Sequence, residues 1–126
     1  MDTTPISDAE ATVMEVLWRS SPRSSEEVIA ALADSTGWAE PTIKTLLNRL
    51  LNKGAIEAMR DGRRYLYTPV LQRETWVAEQ SEGLLGRLFG GRVAPLVAHF
   101  SERGRLSDAD IAQLRQLLEE IDDDAG

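Results

Sequence analysis

A mainly α chain interrupted by one small β-hairpin is the fold class this sequence predicts, on three observations. Between Trp38 and Pro69 the residues WAEPTIKTLLNRLLNKGAIEAMRDGRRYLYTP read as a polar-faced helix, a glycine stop and two short strands joined by Asp61-Gly62. Before that stretch stand two capped helices with apolar stripes, and after it come three amphipathic segments separated by glycine and polar turns. Three helices followed by a hairpin make a winged helix-turn-helix. Residues 1–70 are expected to form that domain, with the hairpin as its wing, and residues 71–126 a C-terminal α-helical dimerisation domain. The length of 126 residues allows the division, because a winged helix takes roughly 70 residues.

Asp2 to Pro5 is polar and expected to fray. Ser7 or Asp8 can cap the first helix with Glu10 in its first turn; Val13, Val16 and Leu17 give it an inward stripe, and it ends near Arg19 before Ser20-Ser21-Pro22. Ser24 or Ser25 caps a second, short helix that places Glu26 and Glu27 at its positive end and turns Val28, Ile29 and Leu32 inward. Asp34 to Gly37 is read as the turn into the third helix.

In that third helix, at about 100° per residue, Ile43, Leu46, Leu47, Leu50 and Leu51 share one arc and Thr42, Thr45, Asn48, Arg49 and Asn52 the other. Lys53-Gly54 ends it with a cation for the C-terminal dipole and a residue tolerant of positive φ. Ile56 to Arg60 and Arg64 to Thr68 then read as strands, with Asp61-Gly62 as the hairpin signal and Arg60, Arg63 and Arg64 clustered around the turn.

After Pro69 the pattern changes. Leu71 to Phe89 reads as a helix with Trp76, Leu84, Leu85, Leu88 and Phe89 apolar, and Gly90-Gly91 interrupts it. Val93 to Phe100 is a second apolar segment, in which Pro95 is tolerable only in the first turn. Ser107, with Asp108 and Asp110 behind it, caps a last helix whose Ile111, Leu114, Leu117, Leu118 and Ile121 recur every three or four residues. Three such helices make a poor core alone and a good one with the same helices of a second chain. The dimer face is therefore assigned to Leu84, Leu88, Val93, Leu96, Val97, Phe100, Ile111, Leu114, Leu117, Leu118 and Ile121.

Composition excludes several functions. Without cysteine there are no disulfides, thiolate metal sites or cysteine nucleophiles. No apolar run is long enough to span a membrane and no basic-then-apolar leader is present, so the expectation is a cytoplasmic protein without membrane insertion. There is no glycine-rich phosphate loop, and the carboxylates fall mainly on capping or solvated positions, which argues against an enzyme. His99, the only histidine, lacks partners for metal ligation, so no metal and no cofactor are implied.

The net charge of −7 is awkward for binding DNA, because affinity for phosphate comes from cations that release counterions. Its distribution eases the conflict. Lys44, Arg49, Lys53, Arg60, Arg63 and Arg64 face only Glu57 and Asp61 between positions 44 and 64, whereas acid gathers at Glu119, Glu120 and Asp122 to Asp124. Double-stranded operator DNA is thus the expected partner, met by Thr42, Lys44, Thr45, Asn48 and Arg49 in the major groove and by Arg63 and Arg64 on the wing. Arg60, Arg63 and Arg64 are read first as wing contacts to the backbone or minor groove, and in the alternative as solubilising charge on an exposed hairpin. Trp38 either lies against a phosphate or packs at the helix entrance. A winged-helix adaptor that binds protein rather than DNA is the alternative function.

The order of elements, with Trp38, the run Thr42-Ile43-Lys44-Thr45-Leu46-Leu47-Asn48-Arg49-Leu50, Lys53-Gly54, Gly62-Arg63 and Tyr67-Thr68-Pro69, resembles the penicillinase repressors, the BlaI/MecI/CopY family of bacterial transcription factors. Ser7-Asp8-Ala9-Glu10 with Val13-Met14 and Leu17-Trp18 resembles that family's first helix, and the likeness runs from about Ile6 to Ile121. Pro41 stands where the family often has a polar or basic residue before the first Thr. The resemblance implies a homodimeric repressor on a palindromic operator, controlling antibiotic-resistance or stress-response genes by blocking the promoter. It also implies release by cleavage in the dimerisation region, triggered by a membrane metallopeptidase sensor or an associated protease. Val97-Ala98-His99-Phe100 resembles the family's cleavage site with His99 in place of Asn, and the same residues read equally as plain buried helix. The cysteine pairs of copper-responsive members are absent, which argues against copper sensing by that route.

Overall fold

The computed structural model describes residues 5–125; the polar lead from Asp2 to Thr4 lies outside them. Helix α1 (Asp8–Arg19) starts at Ser7, whose hydroxyl accepts from the Glu10 amide at 3.1 Å while the Glu10 carboxylate accepts from the Ser7 amide at 2.7 Å. This reciprocal capping box satisfies two of the amide donors that a helix start leaves free. Helix α2 (Ser25–Thr36) repeats the device with Ser24 and Glu27. It takes in Asp34, Ser35 and Thr36, three residues expected in the turn, and the Ser35 and Thr36 hydroxyls donate back to the Leu32 carbonyl at 3.3 and 2.8 Å. The helix stops only at Gly37, at φ +71°.

Helix α3 (Glu40–Asn52) has no side-chain cap and takes Pro41 into its first turn. A two-residue strand β1 (Arg23–Ser24), unforeseen from the sequence, joins β2 (Ile56–Asp61) and β3 (Arg64–Pro69) in an antiparallel sheet of order β1-β3-β2. Asp61 pairs with Arg64, so the two-residue loop is Gly62-Arg63, one residue later than the Asp61-Gly62 turn expected from sequence. Only Gly62 has positive φ, at +63°, among the loop residues. That pattern places glycine first, as a type II′ turn requires, whereas the expected Asp-Gly pair would need positive φ at both positions.

The chain divides into two compact units, the first running to Val77 and the second starting at Ala78. The first has a core of Val13, Met14 and Leu17 from α1, Val28 and Leu32 from α2, Ile43, Leu46, Leu47 and Leu50 from α3, and Ile56 and Leu71. Leu71, expected to start the next helix, sits instead in this core ahead of α4 (Arg73–Phe89), its carbonyl accepting from the Trp18 indole at 2.8 Å. Trp76, expected as an apolar position of the helix that begins the second domain, packs on Trp18 with ring centroids 5.5 Å apart. Stacking the two half-buried indoles covers apolar surface that the small core would otherwise expose.

The second unit contains the rest of α4, α5 (Val93–Glu102) and α6 (Asp108–Ala125). Ser107 caps α6 through the Asp110 amide at 3.0 Å. Among the described residues none beyond Leu71 is fully buried. No described helix is long and apolar enough to cross a membrane.

Candidate nucleic-acid interface

Helix α3 divides as its periodicity predicts. Ile43, Leu46, Leu47 and Leu50 are buried, and Thr42, Lys44, Thr45, Asn48, Arg49 and Asn52 are exposed along the opposite arc. The Thr45 hydroxyl donates to the Pro41 carbonyl at 2.9 Å, which fixes its rotamer and leaves its methyl and oxygen lone pairs outward. Lys44 pairs with Glu40 at 3.2 Å, and both side chains are more than half exposed, so the ammonium can exchange that partner for another anion at little cost.

Strand alternation sorts the wing residues that the sequence had grouped together. Register pairs Ile56 with Pro69, Ala58 with Tyr67 and Arg60 with Tyr65, and the buried Ile56 and core-packed Tyr67 mark this as the inward face of the sheet. Arg60 therefore shares its face with Tyr65 and follows on from Tyr67, which lines a cleft with Lys44 and Asn48 of α3. Arg64 lies on the other face, held by Asp61 at 3.3 Å, and Arg63 stands in the loop itself. The Arg60 guanidinium donates to the Gly62 carbonyl at 3.2 Å, which braces it at the tip.

Lys53 is not part of this surface. Its ammonium turns under α3 to the Glu10 carboxylate at 2.6 Å and the Pro5 carbonyl at 2.9 Å. Burial pushes the Glu10 carboxyl up, but the Lys53 ammonium and the hydrogen bonds of Ser7 outweigh it and hold the group below the ordinary carboxylate value. The Glu27 carboxyl is lowered as well: the hydrogen bonds of the Ser24 amide and hydroxyl outweigh the upward push of desolvation, and the charges of Arg64 and Arg23 add to them. Trp38 packs against the core, the packing alternative of the two readings its position allowed.

In the second unit Leu84, Leu88, Val93, Phe100, Ile111, Leu117, Leu118 and Ile121 are exposed, Leu88 at 68% and Ile121 at 61%, while Leu96, Val97 and Leu114 are half-buried. Leu96, Val97, Phe100, Leu106, Leu114 and Leu117 line an open apolar groove of about 400 Å³. His99 and Phe100 are exposed in the interior of α5, with the imidazole 6.0 Å from the Phe89 ring and 5.3 Å from Phe100.

A helical core that presents one polar helix arc beside a basic-tipped hairpin defines a protein of the winged helix-turn-helix class. A family model described as penicillinase repressor matches residues 6–120, and the chain belongs to that family, whose members are transcriptional repressors and not enzymes. The penicillinase repressor of Bacillus licheniformis is 38% identical over 115 residues, covering 91% of this chain and 90% of that protein. The solution structure of the monomeric form of BlaI from Bacillus licheniformis, in complex with the blaP half-operator, matches at a TM-score of 0.53 and 39% identity, over 59% of this chain and 90% of that one. MarR from E. coli, in its oxidised form, shares the fold at a TM-score of 0.52 and 20% identity, over 92% of this chain and 75% of that one.

Proposed function

We propose that this chain is a homodimeric transcriptional repressor that binds a palindromic DNA operator and excludes polymerase from the promoter. The observation that carries the reading is the exposed α3 arc beside the arginine-bearing wing, in a chain whose relative BlaI has been solved with a half-operator. Thr42, Thr45, Asn48 and Arg49 meet base edges in the major groove: threonine offers a methyl to thymine, asparagine suits adenine and arginine suits guanine. Lys44, Arg63 and Arg64 meet the backbone, and their contacts set register and salt dependence rather than sequence. The acidic remainder of the chain repels DNA and weakens nonspecific binding.

The second unit supplies dimerisation. Its lack of any fully buried residue among those described supports this, since the helices bury their leucines only against another copy. The dimer presents two recognition helices to successive major grooves, with half-sites about one helical turn, roughly 34 Å, apart or a little more. Cleavage of the His99–Phe100 bond by a protease answering to a membrane sensor would remove α6 from the dimer and release the operator. Both residues lie within α5, which must unwind locally for a protease to reach the bond.

Selection of genomic fragments with the purified full chain tests the function. An enriched inverted repeat, bound far more tightly than random duplex at two salt concentrations, is the expected result. Weak binding without enrichment overturns the repressor reading and leaves the adaptor.

A further inference from the structure

Tyr67 and Ser25 stand outside the DNA-contacting set that the sequence suggests, yet with Lys44, Leu47 and Asn48 they line a cleft of about 170 Å³. Ser25 opens α2, Lys44 and Asn48 belong to the exposed arc of α3, and Tyr67 comes from the central strand β3. Three separate elements thus bring four side chains able to donate hydrogen bonds to one opening on the recognition-helix face. Among the described residues the Tyr67 and Ser25 hydroxyls and the Asn48 amide make no hydrogen bond within the protein. The Tyr67 ring packs on the core, a task phenylalanine would do as well, so its hydroxyl is the part without a structural use.

The geometry points to a seat for one phosphate of the DNA backbone, with the Tyr67 and Ser25 hydroxyls and the Lys44 ammonium donating to its oxygens. A phosphate accepts several hydrogen bonds at once and prefers a charged donor among them, which is what the cleft offers. Two carboxylates lie in the neighbourhood and neither occupies it: Glu40 holds Lys44 through an exposed, exchangeable pair, and Glu27 is folded onto the Ser24 amide at 3.0 Å. This seat would fix how deeply α3 enters the groove, since α2, α3 and β3 would all be anchored to the same phosphate.

The inference rests on the repressor reading, and Tyr67→Phe and Ser25→Ala in the full chain test it separately. Anisotropy titrations with the selected operator and with random duplex should each weaken about tenfold for either variant, the size of a hydrogen bond to a charged group, with specificity retained. Melting of Tyr67→Phe should match wild type. On duplexes carrying a single neutral methylphosphonate, one position should cost wild type about tenfold and cost Tyr67→Phe nothing further. Wild-type affinity in Tyr67→Phe, or penalties that multiply independently at every phosphate, overturns the seat while leaving the repressor intact. A wild-type chain that binds no duplex overturns both.

Discussion

Replacing Lys53 by methionine keeps most of the side-chain stem and removes the ammonium that closes α3 onto α1. Glu10 is 1% exposed and its second carboxylate oxygen already lacks a partner, so the variant leaves a buried charge supported mainly by the Ser7 amide at 2.7 Å. Removing one member of a fully buried pair costs about 3–5 kcal/mol. The Lys53 side chain is 28% exposed, which lets water enter the gap, so the expected loss is nearer that of a single charge-assisted hydrogen bond, about 2 kcal/mol. For a unit of this size that lowers the melting temperature by about 8–16 °C. Thermal melts followed by circular dichroism measure it, and the double variant Glu10→Gln, Lys53→Met should recover part of the loss because no buried charge remains. The pH dependence has a definite sign. Glu10 is depressed in the fold, so its contribution is complete above its ordinary value of 4.5 and is lost as pH falls through the lower folded value, narrowing the gap between wild type and Lys53→Met. A Lys53→Met protein that melts within a degree or so of wild type at neutral pH would refute the reasoning.

Three further outcomes are expected. Arg49→Ala should weaken operator binding about 5- to 150-fold, the range for losing one good base contact, while random-sequence affinity falls much less; equal losses on both duplexes would make Arg49 a backbone contact. Leu114→Glu with Leu118→Glu should sediment as a monomer, keep the melting transition of the first unit and bind the operator weakly, and a stable dimer would take α6 out of the interface. Ser24→Ala should destabilise α2 by about 0.5–2 kcal/mol through loss of its capping box, seen as a lower melting temperature; an unchanged melt would show that the β1 pairing alone holds that helix start.

The periodicity of α3 was legible because an apolar arc opposite a polar one suffices to set the buried face, and Ile43, Leu46, Leu47 and Leu50 all lie inside. Caps at Ser7 and Ser24 were legible to within one residue for a similar reason: a glutamate three positions on makes the box local. The partner of Lys53 was not legible, since Glu10 lies 43 positions away and only the packing of α1 on α3 brings the two together. That Leu71 and Trp76 join the first core was not legible, because helical spacing cannot say which of two cores a residue joins, and here Trp18 makes the choice. On the candidate interface, type and exposure were readable for Thr42 to Arg49. The place of Arg63 in the loop was not, because it depends on a turn one residue out of place.

That loop bears on how such a wing can diversify. Successive strand residues point to opposite faces, so adding one cross-strand pair between Arg60 and the turn would move every later tip residue to the other side of the ribbon. A lengthened wing keeps its inward residues inward only when pairs are added two at a time. Length variants of this hairpin should therefore fall into two sets, those differing by two or four residue pairs, which can exchange tips without loss, and those differing by one, which need the whole alternation rewritten.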